Sequence, residues 1–480
     1  MSDVLRLVIV GGGITGLSAA RAALAQGREK GREVSITVLE RAPRFGGKMV
    51  TERVDGYLLD GGPDSWVVTK PQATALVKAL GLGGTVIGTN EANRRYYVAW
   101  DDQLHPVPEG LVLGVPTQIG PLLRTHLFTW RGKARMGLEP FIPARQLGED
   151  GDESIADFAT RRLGREAAER LVAPLLGGVS GGDANDISVR ASFPQLLQME
   201  REHGSLVRGM RAARRERLKA QAQASQGGGK GMTGSAFVSL EGGVGELPRV
   251  MAERLAADGV SLRSGVGVDA VVKSSGGYLV RLSTGATLEA DKVLLAVPGY
   301  AAAELVKPLD GDAAGVLSKI EYGSTATVFL GYRRDAIGHP LAGVGFVVPR
   351  AARRPALAGT WVSSKWDHRA PPDHVLLRVF LGGAWAQSVL KGSDGDLVTV
   401  ARGELRTLMG VDAEPDMTRV FRFDRSAAQM KVGHLAAMHG LHEKLAQRLP
   451  GLLVAGGGYD GVGIPDCIRQ GEDAGRQMVA

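Results

Sequence analysis

Cysteine is almost absent: Cys467 is the single one in 480 residues. One thiol excludes an intrachain disulfide framework and any multi-cysteine metal site, and it suits a reducing compartment. Aromatic residues make up only 5%. No run of about 18 uncharged residues occurs, so no membrane-spanning helix is expected, and an apolar strand already begins by Leu5, leaving no room for a signal peptide. Hydrolytic machinery is missing too, with no Ser-His-Asp set, no H-E-x-x-H and no paired carboxylates. The nine histidines are scattered; His105, His203 and His434 are expected to be structural, and no metal site is expected. These absences describe a cytoplasmic protein that relies on something other than its own acid-base groups.

What is present is glycine, 68 residues of it, and a chain too long for one ordinary core, so two or three domains are expected. The formal charge of +7 allows acidic partners, but an ordinary basic surface accounts for it equally well. The organising stretch is the first forty residues. Leu5-Arg6-Leu7-Val8-Ile9-Val10 reads as a buried parallel strand, and Gly11-Gly12-Gly13-Ile14-Thr15-Gly16 follows at once with Gly11, Gly13 and Gly16 at G-x-G-x-x-G spacing. Such glycines permit a tight turn, bare backbone against a pyrophosphate, and a helix packed close to its strand, with the helix N-terminus facing the phosphates. A helix over 19–25 is broken across 27–33. A second strand, 34–39, ends at Glu40, where a ribose hydroxyl pair would be bound, which favours FAD or NAD over NADP.

Further on, a helix over 72–80 precedes a hairpin of 96–100 and 103–107 turning at Asp101-Asp102. Helical patterns dominate to about 219: 120–128, 154–163 with a capping-box-like Ser154 and Asp157, 165–176, and a mixed helix over 199–219. The basic run 211–219 is expected to be a solvated helix face, nucleic acid is not expected as a partner, and 221–231 lacks the apolar pattern needed to order it. Short strands return at 237–240, 261–263, 266–272, 278–282 and 292–297. A second β-rich region spans 325–383, with strands at 327–332, 345–348, 357–362 and 375–381. A last strand, 452–454, enters Gly456 and then Gly461-Val462-Gly463-Ile464-Pro465, a second helix N-terminus suited to an anion.

Arg41-Ala42-Pro43-Arg44-Phe45-Gly46-Gly47-Lys48, followed by Gly61-Gly62-Pro63-Asp64-Ser65, resembles the R-x-G-G-[RK] region of flavin amine oxidases and their relatives. Together with Ala191-Ser192-Phe193-Pro194, Met199-Glu200-Arg201-Glu202-His203 and the segment from Gly461 through Asp466-Cys467-Ile468, the whole chain resembles the oxygen-dependent porphyrinogen oxidases of haem biosynthesis. Leu104-His105-Pro106-Val107-Pro108-Glu109-Gly110 and Thr360-Trp361-Val362-Ser363-Ser364-Lys365-Trp366 are most similar to the Gram-positive type, which acts on coproporphyrinogen III; a related type acts on protoporphyrinogen IX.

The resemblance implies an α/β fold: a Rossmann-like FAD-binding domain of flavin amine oxidase type (1–90, 235–300, 431–480), a mixed β-sheet substrate domain (301–430) and an α-helical insertion over the substrate entrance (91–220). It implies non-covalent FAD held by Gly11, Gly13, Ile14, Thr15, Gly16, Glu40, Arg41, Arg44, Gly46, Gly47, Lys48, Gly61, Gly62, Pro63, Asp64, Ser65, Gly456, Gly461, Val462, Gly463 and Ile464, with the Val268 backbone at the adenine. Gly178 would lie near the flavin, although Gly178-Val179-Ser180-Gly181-Gly182-Asp183 departs from the family's G-[IVL]-Y-A-G-D. Lys70, Arg94 and Arg95 would meet substrate carboxylates, the hairpin after the arginines being one residue longer than in the family. Trp361, Lys365 and Phe380 would line the pocket.

The expected reaction is O₂-dependent removal of hydride from a porphyrinogen meso carbon by flavin, releasing peroxide, three times over. Expected partners are the porphyrinogen, O₂, a membrane surface in peripheral contact through Leu111, Leu113, Leu122, Leu123, Leu127 and Phe128, and transient contacts with other enzymes of the pathway. An amine oxidase, a carotene desaturase and a non-catalytic flavin-binding protein remain alternatives. Four propionates require Arg or Lys around the pocket, amines an aromatic cage and carotenes an apolar tunnel.

Overall fold

The computed structural model describes residues 4–145, 148, 151–178, 181–225, 235–383 and 386–480. Five parallel strands form the first sheet, in the order Ser261–Ser264, Val34–Glu40, Leu5–Val10, Lys292–Leu295 and Leu452–Val454. The central strands Leu5–Val10 and Lys292–Leu295 are apolar apart from Arg6 and Lys292 near their starts, because both faces are covered. Leu5, Leu7 and Ile9 pack into one core with the helices Ile14–Glu29, Glu246–Ala257 and Ile464–Val479; Val8 and Val10 enter a second core under a three-stranded antiparallel meander. The first helix runs through Gly27 to Glu29, two residues past its expected break. The C-terminal helix lies directly on it. A Cβ on Gly471 would stand 2.2 Å from the Thr15 carbonyl oxygen, and one on Gly475 2.2 Å from that of Ala19, so only glycine allows this approach.

The second sheet has seven strands in the order Met417–Gln429, Glu321–Arg333, His374–Gly382, Ala356–Trp361, Gly345–Val347, Tyr96–Trp100 and Gln103–Pro106. Two features differ from expectation. The hairpin turns as read, with Asp101 and Asp102 at φ 49° and 57° as a two-residue turn demands, but it pairs through Tyr96–Trp100 with Gly345–Val347 and so belongs to this sheet rather than to the helical region. The 13-residue strand Met417–Gln429 was not anticipated; Arg419, Arg422 and Arg425, three residues apart, break the alternation that would have signalled it, and it pairs along Glu321–Arg333.

The helical region has its own core around Phe158, Leu171, Leu127 and Met210. Ser154 caps the helix Ile155–Leu163 through the Asp157 N–H, as the sequence signals. Gly204, at φ 67°, splits the expected single helix into Pro194–His203 and Leu206–Ser225. The second of these covers 221–225 of the stretch expected to be unordered; 226–231 lie outside the described residues. Ala168–Gly177 is wound as a π-helix containing Pro174.

Candidate cofactor cleft and active site

The glycine turn after the first strand behaves as its spacing demands. Gly11 has φ 109°, and a Cβ there would meet the Ala296 carbonyl oxygen at 2.3 Å; one on Gly16 would meet the Gly11 oxygen at 1.9 Å. Beside Gly13 the corresponding position is open, with nothing within 4 Å. Two glycines thus close the turn while the third borders free space. No side chain caps the helix that starts there, so its dipole and first-turn donors are offered outward. Glu40 accepts from the Gly12 N–H through Oε2 and from the Ala42 N–H through Oε1, both at 2.8 Å, and each oxygen keeps a lone pair. Val266 N–H bonds to the Glu40 carbonyl at 2.9 Å, which draws the backbone leading to Val268 alongside the carboxylate.

A second glycine pair lies against the first turn. Gly46 N–H donates to the Gly12 carbonyl at 2.8 Å, and the Cβ position of Gly47 is 3.3 Å from Gly13 Cα. Arg44 holds this loop by donating to the Gly47 carbonyl at 2.7 Å. Lys48 donates to the Ser426 carbonyl on the far strand, and burial between the two walls lowers its pKa although the side chain remains open to solvent along the cleft. The opposite end of the cleft is the start of the C-terminal helix. Gly456 and Gly461 both have φ 134°, no side chain caps Ile464–Val479, and Asp466 in its first turn takes both oxygens to Lys70 Nζ at 2.7 Å.

Residues 61–65 run across the face of the second sheet. The Gly61 carbonyl accepts from Thr327 Oγ1 at 2.9 Å, and Arg378 Nη2 donates to the carbonyls of Gly61 and Gly62 at 2.9 and 2.6 Å. Arg378 is only 3% exposed. Its guanidinium lies 4.2 Å over the Phe380 ring and 5.2 Å over Phe329, and burial lowers its pKa to about 10 against the pull of Asp64 and Asp60. Asp64 accepts from Lys365 Nζ at 2.7 Å, from Trp366 Nε1 at 3.1 Å and from Ser65 Oγ at 2.7 Å. Burial works against its charge, yet Lys365 and Arg378 together hold the carboxyl well below the usual carboxylate range.

A glycine turn with open space at Gly13, an acid with free lone pairs and two uncapped helix starts on one cleft make a dinucleotide site, and comparison with known proteins agrees. Residues 14–479 match the family described as flavin containing amine oxidoreductase. The chain belongs to that family. Its cofactor is FAD, and it is an oxidoreductase. It is 37% identical to coproporphyrinogen III oxidase of Bacillus subtilis (strain 168), covering 99% of this chain and 98% of the relative. It is 29% identical to chloroplastic protoporphyrinogen oxidase 1 of Arabidopsis thaliana over 96% of this chain and 86% of that one. Among solved structures, a putative protoporphyrinogen oxidase from Exiguobacterium sp. 255-15 superimposes with a TM-score of 0.86 at 32% identity, covering 98% of each chain.

The cations expected to meet substrate are differently placed in this flavoprotein. Lys70 is committed to Asp466 and Lys365 to Asp64; Arg94 pairs with Glu91 at 2.7 Å on the exposed surface. Arg95 is exposed, and no ion pair involves it among the described residues. Trp361 does not share a face with Phe380. In the register of the sheet it sits opposite Leu377, so it points into the core behind the sheet, fully buried, with Tyr97 at 5.3 Å and His339 at 4.9 Å. Grouping it with the pocket is therefore corrected: one residue of alternation separates the two faces. Gly178 ends the π-helix and lines a cavity of about 620 Å³ together with Arg165, Glu169, Asp183, Arg350 and Arg353. Arg350 there is paired to Asp183 and Arg165 to Glu169, and none of the cleft residues described above lines this cavity. Of the two altered family positions, Ser180 lies outside the described residues, as does its neighbour Val179, while Gly181 forms a turn at φ 61°.

Sequence reasoning missed Arg378, Arg369 and Asp60. Asp60 and Arg369 form a buried pair at 3.4 Å; Asp60 also accepts from Thr51 Oγ1 and the Val244 N–H, and Arg369 donates to the Leu240 and Glu241 carbonyls, so the pair ties residues 51–60 to 240–244. The available signal was a lone arginine inside the otherwise apolar run Val375-Leu376-Leu377-Arg378-Val379-Phe380-Leu381. A charge at a sheet-face position within such a strand is expensive unless it is used.

Proposed function

We propose that the protein oxidises coproporphyrinogen III to coproporphyrin III with O₂ as the electron acceptor, in haem biosynthesis. The observation that carries this reading is Arg378 stacked on Phe380. The sheet face beneath residues 61–64 is aromatic, with Phe329, Phe380 and Phe421, but it carries a buried guanidinium whose positive field disfavours a protonated amine at the cleft and favours carboxylates. The name of the relative at 37% identity supports coproporphyrinogen as the substrate, and the chloroplastic relative supports protoporphyrinogen IX as the alternative.

In this reading Gly11, Gly13, Ile14, Thr15 and Gly16 receive the pyrophosphate, Glu40 the ribose hydroxyls, and Arg41 with the Val268 backbone the adenine end. Arg44, Gly46, Gly47 and Lys48 close the near wall; residues 61–65 and Gly456, Gly461, Val462, Gly463 and Ile464 flank the ring. Bound FAD supplies hydride acceptance and reoxidation by O₂. The chain's own residues hold the substrate, exclude water and balance its carboxylates. Wild-type kcat/KM for coproporphyrinogen III is expected to exceed that for protoporphyrinogen IX at least tenfold, with no turnover of primary amines. A preference for protoporphyrinogen IX would move the reading to the alternative, and amine oxidation would remove it.

In this reading the peripheral membrane contact shifts to a neighbouring set of residues that keeps Leu123 from those expected. Leu122, Leu127 and Phe128 are buried in the helical core, whereas Ile119, Trp130 and Phe141 are 66%, 71% and 77% exposed, with Leu123 and Leu138 beside them and Arg124 and Arg131 also exposed. Apolar side chains flanked by cations suit an anionic bilayer. No described helix is long and apolar enough to cross a membrane. Flotation with anionic vesicles is expected and should be lost in Trp130→Glu with Phe141→Glu; wild-type protein that stays at the bottom of the gradient would end this part of the reading. Contacts with other pathway enzymes rest on the resemblance alone.

A further inference from the structure

We infer that Arg378 is a positioning residue: it turns the peptide between Gly61 and Gly62 so that a free N–H faces the flavin cleft, and it sets its charge beneath the segment that carries Asp64. The inference rests on the cleft being the flavin site and concerns how this chain builds that site.

Four observations meet at this side chain. Its Nη2 takes both carbonyls, of Gly61 and of Gly62, and Thr327 Oγ1 adds a second donor to the first. In a trans peptide the N–H points opposite to the carbonyl with which it shares a plane, and no cis peptide is present among the described residues. With the Gly61 carbonyl fixed on the sheet side, the Gly62 N–H points away from the sheet. No acceptor for it is found among the described residues, whereas the preceding Gly61 N–H is bonded to the Val50 carbonyl at 2.9 Å. Gly62 packs its Cα close against residue 48, a Cβ there standing 2.0 Å from the Lys48 carbonyl oxygen, so only glycine fits at this point of the segment. Finally, Arg378 Nε is buried without a partner. A guanidinium desolvated this far and only partly bonded is costly, and two carbonyls plus the field at Asp64 are what it delivers in return.

The groups that face Asp64 are Lys365 and Trp366 from the segment after Ala356–Trp361, Arg378 from His374–Gly382, Ser65 beside it, and the Asp60 carboxylate with its partner Arg369. Lys365 is the nearest cation but is 17% exposed; Arg378 and Arg369 are sealed from solvent, where their fields are least screened, and of these two Arg378 is the one bonded to the segment that carries Asp64.

Arg378→Met and Arg378→Lys separate the two roles. Apoprotein of each is titrated with FAD, following flavin fluorescence, and the pH profile of kcat/KM is recorded on the reconstituted protein. Losing two charge-assisted bonds to the strap should weaken FAD binding in Arg378→Met by about tenfold to a hundredfold and move the acidic limb of the profile upward as Asp64 loses a cation. Arg378→Lys should return the acidic limb towards the wild-type position while recovering FAD affinity only in part, since an ammonium lacks the planar fork. If Arg378→Met fails to fold, Arg378→Lys and Thr327→Val carry the test, the latter weakening FAD binding with the pH profile unchanged. FAD affinity and pH profile both within about twofold of wild type in any folded Arg378 variant would overturn the proposal. A wild-type protein that binds FAD but oxidises no porphyrinogen would overturn the substrate reading instead and leave the FAD titration intact.

Discussion

Two buried ion networks in this molecule look alike in composition and differ in how completely they are used. In the helical region Glu139 and Arg162 are both fully buried. Arg162 donates to Glu139, to Glu200 and to the carbonyls of Ile142 and Gly204, while Glu139 also accepts from Ser205 Oγ and from the N–H groups of Leu206 and Val207. Arg161 bridges Glu153 and Glu200. None of these side chains is among those with a buried unpartnered nitrogen or oxygen. At the cleft, by contrast, Arg378 and Arg369 each keep a buried Nε without an acceptor. The closed network is a scaffold: it caps the helix Leu206–Ser225 from a distant turn and locks the helical region together. The open one retains donor capacity and field beside the cleft, which is how a region open to ligands differs from a strut even when both are made of Arg and carboxylate.

Breaking the closed network should have the largest effect on stability. Glu139→Ala leaves the Arg162 charge buried and two helix N–H groups unpaired, and should cost about 3–5 kcal/mol, read as a lower denaturant midpoint with the flavin spectrum unchanged before the transition. A loss below about 1 kcal/mol would show that this network is no stronger than a surface pair. The glycine turn offers a second contrast. Gly13→Val points into open space, so the chain should fold normally and purify without flavin; Gly16→Val forces its side chain into the Gly11 carbonyl and should lower stability as well as flavin content. A yellow Gly13→Val protein would remove the nucleotide assignment, as would retention of flavin after Glu40→Ala with Arg44→Ala.

Acid should act on the cleft network through Asp64. Its folded pKa is depressed, so the stabilisation is present above the unfolded value of about 4 and is lost as the pH falls through the lower folded value. Lys365→Met should therefore lower stability near neutral pH and flatten its decline in acid; an unchanged profile would mean that Asp64 is not held by this pair. The smallest effect is expected at Lys70. Already paired to Asp466 and half exposed, it should on replacement by Ala reduce kcat/KM on the tetracarboxylate and the dicarboxylate substrate equally and by less than about tenfold. A selective loss on the tetracarboxylate would restore the role that its sequence position suggested.

The sequence by itself determined the nucleotide corner: Gly11, Gly13 and Gly16, then Glu40, work through local backbone geometry, where one missing Cβ decides whether a turn can close, and such constraints are written at fixed spacing. The same holds for the Asp101-Asp102 turn and the Ser154 cap. Only tertiary structure decided which cations are free. Lys70, Lys365 and Arg94 are equally basic in the sequence, and what neutralises the first two, Asp466 and Asp64, lies 396 and 301 residues away along the chain. Tertiary pairing also turned Trp361 to the back of the sheet, recruited Met417–Gln429 as a strand, and placed Arg378 beneath residues 61–64. The physical reason is range: backbone strain is settled within a few residues, whereas charge neutralisation and strand register depend on partners that the fold alone brings within hydrogen-bond distance.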